Sequence, residues 1–241
     1  MTDESPYWSN GFFTELRAHA LSGDVAEHLT PMVERAAVEI AAPELADPPR
    51  ALTETRARAA GFEARLTARW GRGLDLADLM IEESLQAGIW LNTEWRPKAA
   101  ARQDQKFEAL IRLHGRAIQT ANEVQVLLRS GYSTGAMARW RTIHEIWVVS
   151  LLLAENKSEI SRRYLVHEAI ESMIGQEWYE DTWETLGFEP PDPADAAKRA
   201  ATRAALEQEF GPAFLRNYGW AAPLFNGKAP KLTDLPKRAN L

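Results

Sequence analysis

Within seven residues, Arg139-Trp140-Arg141-Thr142-Ile143-His144-Glu145 gathers two guanidinium groups, an imidazole and a carboxylate at the entrance of the apolar run Ile143–Ala154. Polar groups leading into so apolar a stretch are expected to be partly buried, and a buried charge must be paired or used. At about 100° per residue, Arg141, His144 and Glu145 share one side of a helix, while Arg139 points with Ile143, Ile146 and Ser150. Trp140, His144, Trp147 and Leu151 form a second stripe. The simplest arrangement is an Arg141–Glu145 pair at i, i+4, with His144 hydrogen-bonded to a neighbouring helix. The sharper one is an active site using Arg139, Arg141, His144 and Glu145, supported by His114, Glu123, His167 and Glu171.

His114, His144 and His167 fall one to each of three long helical stretches, with Glu123, Glu145, Glu168 and Glu171 around them. A di-metal carboxylate bundle needs Glu-x-x-His on two helices, and the chain has no such motif. In His167-Glu168-Ala169-Ile170-Glu171 a glutamate stands where a zinc-protease helix carries its second histidine. Phosphate-cradling glycine loops and a Gly-x-Ser-x-Gly elbow are missing as well. No metal and no cofactor are therefore expected. With 0 cysteines, thiolate chemistry and Cys-ligated metals are excluded.

The elements that must position these residues are helices. No stretch alternates like a strand, and the expected class is an all-α bundle on three long helices, about 98–130, 133–156 and 158–186. Asp47-Pro48-Pro49 closes a first region. Gly71 and Gly73 are expected to interrupt the chain before Asp75 caps a new helix, and Pro97 to break it again. Gly131 and Gly187 stop later helices, and Asp192-Pro193 opens a short one that ends at Gly211-Pro212. The last thirty residues read as irregular. This gives a helical N-terminal region, 1–96, a core, 97–190, and a short helix with its tail, 191–241. Beyond Thr233 and Leu235 the chain reads as stopping early, so an apolar groove is expected near Ile143–Ala154 and Trp178–Trp183, filled by a second copy or a partner chain.

Twenty-eight basic and 34 acidic residues leave a net charge of −6, which gives no bulk attraction to nucleic acid or an anionic membrane. The charge is segregated, with +5 over residues 98–141 and −9 over 142–195, so the two segments are expected to attract one another. The twelve-residue apolar window is too short for a membrane span, which takes roughly 20 residues. The opening MTDESPYWSN has no signal-peptide pattern, and a cytoplasmic location is expected.

From about Leu113 to Tyr179, and again at Tyr218–Ala221, the chain resembles a bacterial family of uncharacterised all-helical proteins. The matching pieces are LHGRAIQTANEVQVLLRSGYSTGAMARWRTIHEIWVV, YLVHEAIE and YGWA. That resemblance implies no established activity. The Arg139/His144 spacing is similar to that of the HEPN superfamily, many of whose members are metal-independent ribonucleases that pair across a dimer. This second resemblance implies that His144 acts as acid or base at a ribose 2′-hydroxyl or leaving oxygen, with Arg139 stabilising the phosphate. RNA and a second copy of the chain are then the expected partners. The alternative is a non-catalytic module binding protein or nucleic acid, with Trp8, Trp95 or Trp220 exposed in an apolar patch.

Overall fold

The computed structural model describes residues 14–15, 17–20 and 25–239, and among these it contains helices and no strand. It is the expected all-α bundle. Two compact units divide the chain, residues 1–69 and 70–241. In the first, α1 (Val25–Ala46) buries Met32 and Ala36, one turn apart. Next comes α2 (Pro48–Ala101), whose first turn tolerates Pro48 and Pro49 because the early amides of a helix have no internal partner. The Asp47 carboxylate accepts the Arg50 amide at 3.2 Å.

Contrary to the expected interruptions, α2 runs through Gly71, Gly73 and Pro97. A glycine costs a helix only about 1 kcal/mol relative to alanine, which a helix this long absorbs. Pro97 deprives only the Thr93 carbonyl of its bond, one turn before the helix ends. The true break is at 102–104, where Gln103 turns left-handed (φ 51°). Asp104 then caps α3 (Gln105–Arg129), accepting the Lys106 and Phe107 amides at 3.0 Å each. The first long helix thus begins at Gln105 and not near Lys98, because Asp104 supplies the cap.

α3 returns antiparallel along α2. Gln125 Nε2 donates to the Leu74 carbonyl, His114 Nε2 to the Ser84 carbonyl and Arg96 to Glu108, at 2.9, 3.0 and 3.0 Å. The approach at His114 is close because Gly88 faces it: an added Cβ would lie 2.3 Å from Nε2.

Gly131 (φ 84°) ends the hairpin and α4 (Ser133–Glu155) follows, then α5 (Ser158–Thr182) and α6 (Pro193–Phe210). Asp192 caps α6 by accepting the Ala194 amide at 2.8 Å, with Pro193 in its first turn as expected. The residues beyond Gly211 are not irregular. Three 3-10 turns, Pro212–Leu215, Gly219–Phe225 and Leu232–Asp234, lead to a one-turn helix, α7 (Leu235–Arg238). Phe214, Trp220, Ala221 and Leu235 from this tail join Ile146, Val148, Val149, Leu152 and Leu153 of α4 in the main core. The tail thus folds back into the core formed by Val148, Leu152 and Leu153 of the apolar window, while a cleft stays open beside Ile146 and Val149. Within the second stretch, Trp178–Trp183, Trp178 and Tyr179 are exposed.

Segregated charge does little to hold the helices together. Among the described residues one ion pair joins the basic to the acidic segment, Arg112 with Glu168 at 3.6 Å. Arg129 pairs instead with Asp75 and Asp78 of α2, and Arg139 with Glu123. The packing of α3, α4 and α5 is apolar.

Candidate functional site

Among the described residues, the ionisable side chains that are buried lie one helix later than expected, on α5. Arg163 and His167 are four residues apart and 6% and 3% exposed. The Arg163 guanidinium has no carboxylate partner among the described residues. It donates to the carbonyls of Trp220 (3.1 Å), Gly219 (3.3 Å) and Phe210 (3.5 Å), close to the stacked rings of Phe210 and Phe214. Burial lowers its pKa from the usual guanidinium range. His167 Nε2 donates to the Arg216 carbonyl at 3.0 Å, with Phe214 edge-on to the imidazole. Together the two side chains clasp the segment 210–220 onto α5.

With that segment held, a cleft of about 660 Å³ opens between α3, α4, α5 and Asn217–Tyr218. Each helix contributes residues spaced to share one face. Arg112 and Arg116 come from α3, Thr142 and Glu145 from α4, and Tyr164, Glu168 and Glu171 from α5. Tyr218 sits with φ 58°, a left-handed backbone costing a non-glycine residue roughly 1 kcal/mol. Burial raises the pKa of the Tyr218 hydroxyl, and the negative charges of Glu145 and Glu171 add to the shift. Tyr164 is likewise raised by burial, with Arg116 opposing and Glu168 reinforcing. The Arg116 and Glu145 side chains and the Tyr218 hydroxyl have no hydrogen bond or ion pair with other described residues.

The eight residues singled out from the sequence separate. Glu145, His167 and Glu171 meet in the cleft. Arg139 lies against Glu123 on the far side of α4, and His114 belongs to the α2–α3 hairpin. His144 is half-buried between the rings of Trp140 and Trp147, with centroids 6.1 and 5.9 Å away. Arg141 is exposed, and the expected Arg141–Glu145 pair is absent among the described residues. The reason is position along the helix: Arg141 points as Val148 and Leu152 do, but two turns earlier, where α4 is uncovered. Among the described residues no group of three or more His, Asp or Glu could hold a metal, and no helix is long and apolar enough to cross a membrane. Trp95 is exposed, Trp220 is buried, and Trp8 lies outside the described residues.

Arg112, Arg116, Arg163, Tyr164 and Tyr218 were not singled out from the sequence. The available signal was spacing, since Arg112/Arg116 and Tyr164/His167/Glu168/Glu171 each share a face, but arginines and glutamates so spaced usually face solvent.

Residues 107–241, more than half of the chain, match a family described as a "Family of unknown function (DUF5677)". The chain belongs to this family. The matched region holds the three core helices, the Arg163–His167 clasp and every residue lining the cleft. Comparison with curated proteins and with solved structures finds no match.

Burial outweighs the neighbouring carbonyls and Glu171, pushing the His167 pKa below its ordinary value of 6.5. The folded form therefore keeps this ring neutral at neutral pH, and the unfolded chain binds its proton more readily. This contribution to stability is complete above about pH 6.5 and is lost as pH falls towards the folded pKa. Urea denaturation at pH 7.5 and 5.0 is expected to show a larger loss for the wild type than for His167→Gln. Equal losses would mean that the ring does not titrate differently on folding.

Proposed function

We propose that the protein is a helical binding module whose ligand is a small polar molecule held in the cleft between α3, α4 and α5. The convergence of Arg116, Glu145 and Tyr218, whose side chains have no partners among the described residues, on one cavity beside buried His167 carries this reading. Its volume of about 660 Å³ lies within the roughly 300–1,000 Å³ of small-molecule sites. Thermal unfolding with a set of amino acids, polyamines and nucleotides tests it. At one hundred times its Kd a true ligand adds about 2.7 kcal/mol. That is roughly 5–10 °C in Tm for a domain of this size. The double variant Arg116→Ala/Glu171→Ala is expected to lose the shift while folding normally. A shift that survives the double variant would place binding elsewhere, and no shift with any compound would end the reading.

A second reading, cleavage of RNA without a metal, is favoured by Arg141 and His144 both reaching solvent on α4 beside exposed Trp140 and Trp147. Aromatic rings interleaved with a cation suit unpaired bases. Arg139, engaged by Glu123, takes no part in it. Single-stranded RNA incubated with the protein in EDTA is expected to be cut by the wild type and spared by His144→Ala. Intact RNA with the wild type removes this reading.

A further inference from the structure

α2 is far longer than the surface that holds it. Only Leu74 and Gly88 of its 54 residues are buried, both on the side that meets α3. A helix in water owes most of its stability to the packing of one face, so this much uncovered length points to a partner. On roughly the opposite side, at about 100° per residue, Leu76, Leu79, Met80 and Trp90 are each more than half exposed.

Charge divides the same helix in two. Residues 50–72 hold six arginines and two glutamates, a balance of +4, whereas residues 75–94 hold five acids and no base, a balance of −5. Arg58, Arg65 and Arg72 recur every two helical turns and so share a face with Leu76, Glu83 and Glu94. Arg69 stands one turn from both Arg65 and Arg72, and like charges so spaced repel one another. On the acidic half Arg129 takes Asp75 and Asp78, while Glu82, Glu83 and Glu94 have no cation partner among the described residues.

We propose that the exposed face of α2 joins two copies of this chain, their α2 helices running antiparallel. Reversing the same helix lays each basic half along the acidic half of the other copy, and a two-fold axis repeats the match. The methylene stems of the arginines then cover Leu76, Leu79 and Met80, and a guanidinium can stack on Trp90. A parallel pair would set arginine against arginine. An anionic membrane fits worse, because the exposed apolar residues accompany the acids and not the arginines. α2 contributes no residue to the cleft, so this association does not depend on a ligand there.

Light scattering after size exclusion of the full chain at low salt is expected to give twice its 27.1 kDa, falling to one chain on dilution. Glu82→Lys/Glu83→Lys/Glu94→Lys turns the −5 half to +1, and Arg58→Glu/Arg65→Glu/Arg72→Glu turns the +4 half to −2. Each triple variant alone is expected to raise the dimer Kd tenfold or more with its helical circular dichroism unchanged. Mixed in equal amounts, the two are expected to form a 1:1 dimer, since each then presents the charge the other lacks. A wild type that stays at one chain at every concentration overturns the proposal. So does a dimer that either triple variant leaves intact, or a pair of variants that fail to combine. Capture of the wild-type monomer by phosphatidylglycerol vesicles, with no dimer, would assign the face to a membrane instead.

Discussion

Arg163→Met is expected to destabilise the unit spanning residues 70–241 by at least about 3 kcal/mol, although it keeps much of the side chain's volume. Arg163 donates to three backbone carbonyls in a site only 6% exposed. Methionine leaves those carbonyls without a donor, at roughly 1–3 kcal/mol for each one that stays buried. The contacts of the guanidinium with the Phe210 and Phe214 rings, 4.9 and 5.0 Å from its carbon, are lost as well. Arg163→Lys should recover little, since an ammonium cannot fork to carbonyls on both sides of the segment. Arg141→Ala is the control, because its exposed side chain has no ion pair among the described residues and its loss should fall within about 0.5 kcal/mol. Urea denaturation followed by circular dichroism measures all three. An Arg163→Met protein as stable as the wild type would show that the clasp does not hold the tail.

Gly219→Ala is expected to cost about 3 kcal/mol or more, among the largest effects of a single added methyl group in the molecule. A Cβ at this position would lie 2.4 Å from the carbonyl oxygens of both Ala213 and Phe214 and 2.6 Å from the Phe214 carbonyl carbon. These are backbone atoms, so no side-chain rotation relieves the clash, and inserted volume in a tight site costs about 1–3 kcal/mol or occasionally more. Relief would have to come from moving Gly219, whose own carbonyl is held by Arg163. Gly73→Ala runs the opposite way. Gly73 is inside α2 with nothing within 4 Å of an added Cβ, and alanine there should stabilise by about 1 kcal/mol. Thermal unfolding of the two variants is expected to move Tm in opposite directions. If Gly219→Ala melts with the wild type, the 3-10 segment is looser than this packing allows.

The two substitutions mark where the sequence can be read and where it cannot. Helical class, the position of α4, the Asp192-Pro193 start of α6 and the stop at Gly131 follow from local chemistry, because a cap or a left-handed glycine acts within a few residues of its own position. Pro97 and Gly71 misled for the same reason: their local cost is about 1–3 kcal/mol, and tertiary contacts along a long helix override it. His167 and Glu171 could be singled out by spacing, yet nothing in the order of residues says that Arg163, not Arg141, is the arginine that is buried. That depends on which stretch of α4 or α5 another element covers, and the covering element is the segment 210–220, some fifty residues further along the chain. The cleft has the same origin. Arg116, Glu145 and Tyr218 lie on three separate elements, and they face one cavity only because Arg163 and His167 hold the last of these elements against α5. The sequence by itself determines which residues lie on which helix and where most helices begin and end, since backbone hydrogen bonding and capping are local. Only the tertiary structure decides which polar groups lose water and which converge, since burial depends on surfaces brought together from distant parts of the chain.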